Sequence, residues 1–450
     1  MDKETKIPKL YEHQETTAQF LSETPRAFIT SDPGTGKTRS VVEAFTRNKT
    51  GRLLVICPKS IMEASWGADI KSFNPELTYS VYNLKKKKLS FLTGADIVII
   101  NHDAVKWIVK NPDVLHNFDW LVVDEFTAFK HRTSQRSKAL RTISAYFTHR
   151  VMLSGTPNSN EITDIWHPTL VLDDGQRLGA NFFSFRNSVC SPRQIGPSAQ
   201  MVKWESKPGS VEAVADILRD ITIRHELEDV LDMPEHIVRT IETELTPTHM
   251  RQYEELKAQS VLELEEGDIN AVNAAVRANK LLQLCSGAVY NEDGGTTLIH
   301  SDRYNLIMEL VQERQHSVVV VNWHHQTEQL IELAEKLNIS WTRIDGTVSM
   351  NHRTQAVEEF QAGEYQVIFI HPASAGHGVT LTRGTTTIWA SPTHNLEHFV
   401  QANHRIYRAG QKKRTETILV AAKGTLEPNV YDALNNKEIA MQDLLNYLKS

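Results

Sequence analysis

Short, unbroken apolar runs recur through the first third of the chain: Ala27-Phe28-Ile29, Leu53-Leu54-Val55-Ile56, Ile97-Val98-Ile99-Ile100, Leu121-Val122-Val123 and Val151-Met152-Leu153. Runs of this length without polar alternation predict strands buried on both faces, as in a parallel sheet wound with helices. The stretches between them are helix-like, so residues 1–165 predict a doubly wound α/β lobe. Over residues 166–295 the runs give way to charge-mixed stretches such as Val211 to Arg219 and Pro247 to Glu266. This region predicts a helical insertion and a linker, closed by the turn cluster Asn291-Glu292-Asp293-Gly294-Gly295. Strand runs return at Ser317 to Val321, Trp341 to Ile344, Gln366 to Ile370, Thr385 to Ala390 and Thr417 to Val420. They predict a second α/β lobe over residues 296–425, with residues 426–450 as a C-terminal helix. No sequence repeat relates the two halves.

At 450 residues the chain is long enough for two or three domains with substantial cores. No apolar stretch approaches a membrane span and no signal-peptide pattern opens the chain, so a membrane partner is not expected. The three cysteines, Cys57, Cys190 and Cys285, are far apart. That spacing suggests reduced thiols, a cytoplasmic setting and no cysteine-based zinc module. The net charge of −6 means that any nucleic-acid surface must concentrate its positive charge locally. The four lysines Lys85 to Lys88 read more simply as a solvated turn than as a phosphate patch.

Chemistry gathers at the ends of the strand runs. After the first comes Ser31-Asp32-Pro33-Gly34-Thr35-Gly36-Lys37-Thr38, followed by a helix start at Ser40 to Phe45. Strand, glycine loop, Gly-Lys-Thr and helix is the arrangement that cradles phosphates. Gly34 and Gly36 let backbone N–H groups turn inward, and the helix N-terminus adds its positive end. Lys37 can reach the β- and γ-phosphates of ATP, and the Thr38 hydroxyl can hold Mg²⁺. Asp32 and Thr35 complete the loop. The bland alternative is a glycine turn with a chance Gly-Lys-Thr. Asp124-Glu125 at the end of the fourth run argues against it: an acidic pair there suits a Mg²⁺–ATP site. Asp124 would hold the metal and Glu125 would orient and deprotonate the attacking water. Upstream, Gln14 in Leu10-Tyr11-Glu12-His13-Gln14 carries the donor and acceptor that read an adenine edge. Trp66 reads as core packing.

The other strand ends carry Pro58-Lys59-Ser60, Asn101 and Ser154-Gly155-Thr156-Pro157, small polar loops of the kind that touch a ligand beyond a parallel sheet. The second half has no phosphate loop. It has Gln401-Ala402-Asn403-His404-Arg405-Ile406-Tyr407-Arg408-Ala409-Gly410-Gln411. Arg405 and Arg408 are three apart, so on a helix they share a face. Paired guanidiniums suit a γ-phosphate approached from a second domain.

In this order the motifs resemble a superfamily-two helicase motor, and more narrowly the Snf-type branch of DNA-translocating ATPases. The Gln401 to Gln411 segment, Arg343-Ile344-Asp345-Gly346-Thr347 and Gly424-Thr425-Leu426-Glu427 carry the narrower likeness. Phe182 to Phe185 and Leu218 to Met233 resemble that branch's insertion between its lobes. The likeness spans roughly residues 8 to 445 and implies two RecA-like lobes. ATP–Mg²⁺ would sit on Gln14, Asp32, Gly34, Thr35, Gly36, Lys37, Thr38, Asp124 and Glu125. Arg405 and Arg408 would arrive from the second lobe on closure. DNA, duplex favoured, would lie on Pro58, Lys59, Ser60, Asn101, Thr156, Gly378 and Thr380. The chain differs from the branch in Pro33, where a Glu is usual, and in Asp124-Glu125-Phe126-Thr127 for Asp-Glu-Ala-His. Thr393-His394-Asn395-Leu396 stands for Asp-Trp-Asn-Pro. With no chromatin-reading module attached, it is most similar to a bacteriophage or bacterial member. An RNA helicase, a motor subunit of a nuclease assembly and an ATP-gated clamp remain as alternatives.

Overall fold

The computed structural model describes residues 7–157, 161–194, 202–266, 271–290, 295–375 and 379–449. The chain forms two compact units, Met1–Asp232 with Glu438–Ser450, and Met233–Lys437.

The first unit is built on β1 (Arg26–Ile29), β2 (Arg52–Cys57), β3 (Tyr79–Val81), β4 (Ile97–Asn101), β5 (Phe118–Asp124) and β6 (His149–Leu153). An exposed antiparallel hairpin follows, β7 (Cys190–Gln194) with β8 (Val202–Ser206), and then β9 (Thr222–Ile223). The sheet runs β3-β4-β2-β5-β6-β1-β9, every neighbouring pair parallel. Leu53 to Cys57 and Ile97 to Ile100 are wholly buried, which is why these strands read as unbroken apolar runs. α1 (Glu12–Glu23) precedes β1, and α2 (Lys37–Arg47) carries the chain from β1 across to β2.

The second unit holds β10 (His236–Thr243), an antiparallel pair β11 (Ala288–Tyr290) and β12 (Thr296–Leu298), then β13 (Ser317–Val320), β14 (Trp341–Ile344), β15 (Val367–Ile370), β16 (Thr386–Trp389) and β17 (Thr415–Ala422). Its main sheet is also all parallel, in the order β10-β17-β16-β13-β15-β14. The expected α/β class with two parallel-sheet lobes is therefore present. The region between 166 and 295 is not simply helical, however. β9 joins the first sheet and β10 the second. β9 is two residues long, and β10 is an edge strand with Arg239, Ile237 and Val238 exposed, so neither leaves a buried apolar run in the sequence. Of the turn cluster at 291–295, residues 291–294 lie outside the described residues.

Gly424-Thr425-Leu426-Glu427 has a core role. Arg303 and Glu427, both almost wholly buried, meet through two parallel bonds of 2.9 and 2.7 Å. Arg303 also donates to the Ala390 carbonyl, and the Ala422 amide donates to Glu427. A buried bidentate pair, tied further to backbone from each side, is the form in which charge is tolerated in a core, with Arg303 Nε left without a partner among the described residues.

Candidate nucleotide site

Strand register assembles the site in the first unit. Asp124 lies beside Leu153, Leu153 beside Ile29, and Ile29 beside Ile223. The four loops leaving β5, β6, β1 and β9 therefore emerge side by side at one sheet edge. They carry Asp124-Glu125, Ser154-Gly155-Thr156, the loop Ser31 to Thr38, and Arg224-His225.

The loop after β1 turns through Gly34 at φ +90° and Gly36 at φ +80°, values that side-chain-bearing residues rarely adopt. A Cβ on Gly36 would also collide with the Gln14 amide. Lys37 opens α2 and folds back into the loop, donating to the carbonyls of Ser31 (2.8 Å) and Asp32 (3.0 Å). Burial lowers the pKa of this ammonium, opposed by the nearby carboxylates of Glu125, Asp124 and Asp32. Thr38, the next helical residue, is half-buried. Gln14, on α1, accepts from the Tyr11 amide (3.1 Å) and donates to the Thr35 carbonyl (3.3 Å). One end of its amide thus caps its own helix and the other holds the loop.

Asp124 is buried, and burial raises its pKa, opposed mainly by the Trp66 indole N–H that donates to Oδ2 at 2.9 Å. Its other oxygen accepts from the Glu125 amide (3.1 Å). Glu125 stands in the left-handed region at φ +53°, a conformation that costs a non-glycine residue about 1–3 kcal/mol and recurs at functional sites. The Ser154 hydroxyl reaches Glu125 Oε2 at 3.4 Å and accepts from the Thr156 amide at 3.0 Å. Thr156 itself is buried, its hydroxyl beside that of Ser154. A Cβ on Gly155 would come within 3.1 Å of Pro33, so the β6 loop lies directly on the phosphate loop. Of the other strand-end residues, Pro58 is buried, Lys59 exposed, and Ser60 and Asn101 half-buried. Lys85 to Lys88 are exposed, as a solvated turn requires.

Four contributors were not legible as such. Trp66 is core, yet its N–H holds the Asp124 carboxylate. His13 Nε2 lies 2.8 Å from the Thr35 carbonyl, and His102 Nε2 2.8 Å from the Asp124 carbonyl. Arg224 donates to Thr30 (2.7 Å) and pairs with Asp32 Oδ1 (3.2 Å), with Glu226 at 3.5 Å. The backbone around it is stitched to the same loop: Asp32 N to His225 O, His225 N to Ser31 Oγ, and Leu227 N to Asp32 Oδ2. Only the position of Gln14 next to His13 hinted at any of these.

In the second unit the helix Leu396–Asn403 ends before the arginines, with His404 as its C-cap. Arg405 and Arg408 therefore do not share a helix face, as their spacing had suggested. They lie in the turns that follow, and each sends an NH1 to the Val379 carbonyl at 3.2 Å. The turns are held by Gln411, whose Nε2 donates to the carbonyls of Thr382, Gly384 and Ile406, each at 3.1 Å. Thr380 is half-buried beside this segment, and Gly378 lies outside the described residues.

Comparison with known proteins agrees with these motifs. Residues 13–287, more than half the chain, match the SNF2-related domain, and residues 302–410 match the helicase conserved C-terminal domain. A putative protein p41 of Acyrthosiphon pisum secondary endosymbiont phage 1 is 28% identical over 468 residues, covering 98% of both chains. An ATP-dependent helicase of Mycoplasma genitalium is 23% identical over 451 residues, 94% of this chain and 41% of that protein. The mouse DNA annealing helicase and endonuclease ZRANB3 is 23% identical over 438 residues, 94% of this chain and 39% of that protein. The chain thus spans nearly all of the phage protein but about two-fifths of the other two. Among the described residues, no helix is long and apolar enough to cross a membrane.

Proposed function

The chain belongs to the SNF2-related family, and from that membership we propose that it is an ATP-dependent motor that moves along DNA, duplex favoured. The observation that carries the reading is the register of β5, β6 and β1, which brings phosphate loop, acidic pair and Ser154 to one edge. ATP use fits that edge, and DNA as the track fits the family and the mouse relative. A phage or bacterial cytoplasm fits the phage relative.

ATP would seat its phosphates on Asp32, Gly34, Thr35, Gly36 and Thr38. Lys37 exchanges two neutral loop carbonyls for anionic phosphate oxygens, which offsets the cost that burial places on its charge. For Gln14 to read the adenine edge, its amide must release Tyr11 and Thr35. Thr38 and Asp124 offer the hydroxyl and carboxylate oxygens a hard cation takes, and a buried carboxylate with a raised pKa fits a cation beside it. Mg²⁺ bound there would neutralise charge on the phosphate oxygens. Glu125, presented by its left-handed backbone and touched by Ser154, takes the proton of the attacking water. Arg405 and Arg408 complete the site from the second unit when the two close on nucleotide. The ligand's preference for the closed form then drives the motion. Lys59, Ser60 and Asn101 of one unit, with Thr380 of the other, would lie along the track, while Pro58 and Thr156, being buried, support those loops rather than meet it. Such contacts go mainly to phosphates and need no overall basic charge.

The test is ATP turnover measured in parallel with no polymer, single-stranded DNA, duplex DNA, branched DNA and RNA. Stimulation by duplex DNA above the rest is expected. Stimulation by RNA alone, or no turnover with any polymer, overturns the reading.

A further inference from the structure

In the second unit, His249, His300 and Asp302 turn ligand atoms toward one another. One atom from each lies within 4.8 Å of the others. His249 is on the helix Pro247–Glu266, and Asp302 opens the helix Asp302–Gln312 two residues after His300. The two imidazoles stack with centroids 4.7 Å apart.

The proton positions single out His300. Its Nε2 lies 3.0 Å from the Leu284 carbonyl, which can only accept, so Nε2 carries the hydrogen. Nδ1 of the neutral ring is then a lone pair. It is buried, has no hydrogen-bond partner among the described residues, and faces Asp302 Oδ2 at 3.7 Å. Two acceptors confront each other across that gap. A second proton would settle the conflict only by making an imidazolium on a side chain that is 1% exposed. A cation settles it without that cost. The backbone is fixed for the purpose: the amides of Ile299 and His300 both donate to the Gly287 carbonyl. Gly287 has φ +102°, and a Cβ there would strike the His300 carbonyl.

We propose that His249, His300 and Asp302 form a divalent metal site of the zinc class that clamps the helix Pro247–Glu266 to the helix Asp302–Gln312. Two imidazoles and a carboxylate suit a first-row ion that prefers nitrogen, with water in the remaining position. Metal–ligand bonds of about 2.0–2.2 Å around a tetrahedral ion put neighbouring ligand atoms roughly 3.4 Å apart. His249 Nδ1 to Asp302 Oδ2 is 3.3 Å and His300 Nδ1 to Asp302 Oδ2 is 3.7 Å, so both edges are already near that length. The Leu284 carbonyl is the outer partner that orients a ligating histidine. His249 binds through Nδ1 by shifting its hydrogen to Nε2, and the ring remains neutral.

The test uses the full chain without a histidine tag, stripped with chelator. Zn²⁺ is titrated calorimetrically, and Co²⁺ by its visible absorption. The wild type should take up about one equivalent at a saturable site, raise its melting temperature with Zn²⁺, and give a tetrahedral Co²⁺ spectrum. Asp302→Asn and His249→Ala, at the more exposed positions, should lose all three signals, as should His300→Ala if it folds. A wild type with no saturable site overturns the proposal. So does an unchanged titration in Asp302→Asn or His249→Ala.

Discussion

Arg224→Ala removes a guanidinium that is 1% exposed and holds the phosphate loop at two points, the Thr30 carbonyl and Asp32 Oδ1. Breaking a fully buried pair costs roughly 3–5 kcal/mol, mostly the penalty of the stranded partner. Asp32 is one-fifth exposed and keeps the Leu227 amide, so water relieves part of that penalty. The expected cost is about 2–3 kcal/mol. It falls mainly on the loop, because the two closest bonds lost are to residues 30 and 32, the longer pair with Glu226 going with them. If half of it appears as a loop that no longer presents its amides to phosphate, ATP affinity falls by about tenfold. Two assays read this: titration of a non-hydrolysable ATP analogue, and hydrogen exchange of the amides from Thr30 to Lys37. Weaker binding with faster exchange confined to the loop is expected, and Arg224→Lys should recover only part, since an ammonium lacks the fork. Unchanged affinity and unchanged exchange in Arg224→Ala would refute the reasoning.

Glu125→Gln should keep nucleotide binding while lowering turnover by about 10²–10⁴-fold; a turnover within a factor of two of wild type removes Glu125 as the base. Glu427→Gln strands the Arg303 guanidinium in the core of the second unit and should cost about 3–5 kcal/mol, read as a shifted urea midpoint for that unit; an unshifted midpoint contradicts the burial argument. His167 and His325 are buried and His102 half-buried, and desolvation holds each down to about 4. Their folded pKa values lie below the unfolded 6.5, so unfolding takes up protons between those limits. Their stability contribution is complete above pH 6.5 and is lost as pH falls toward 4, by up to about 1.4 kcal/mol per pH unit for each. Melting temperatures from pH 7.5 to 4.5 should fall across that window; a flat profile counts against the buried neutral rings.

The legible part of this fold was what burial on both faces makes legible. β2, β4, β5 and β13 carry unbroken apolar runs because helices cover a parallel sheet, the acidic pair stands at the end of β5, and the glycine loop follows β1. β3, β9 and β10 left no such trace: β3 is only half-buried, β9 has two residues, and β10 lies at an edge. The site was legible where chemistry demands a residue type at a fixed spacing, as in Gly34-Thr35-Gly36-Lys37-Thr38. It was not legible where chain-distant residues converge. Arg224 reaches the loop because β9 lies beside β1, and Trp66 reaches Asp124 across the sheet edge. The spacing of Arg405 and Arg408 suggested a helix face; the helix stops first, and a shared bond to Val379 brings them together instead.

The claim on which the account rests is that turnover needs groups from both units. Its most direct test is the turnover number at saturating ATP and duplex DNA for wild type, Arg405→Ala, Arg408→Ala and the double variant, with nucleotide affinity measured alongside. The account predicts affinity near wild type and a turnover reduced on the order of 10³-fold in the double variant. Full turnover in the double variant would contradict it.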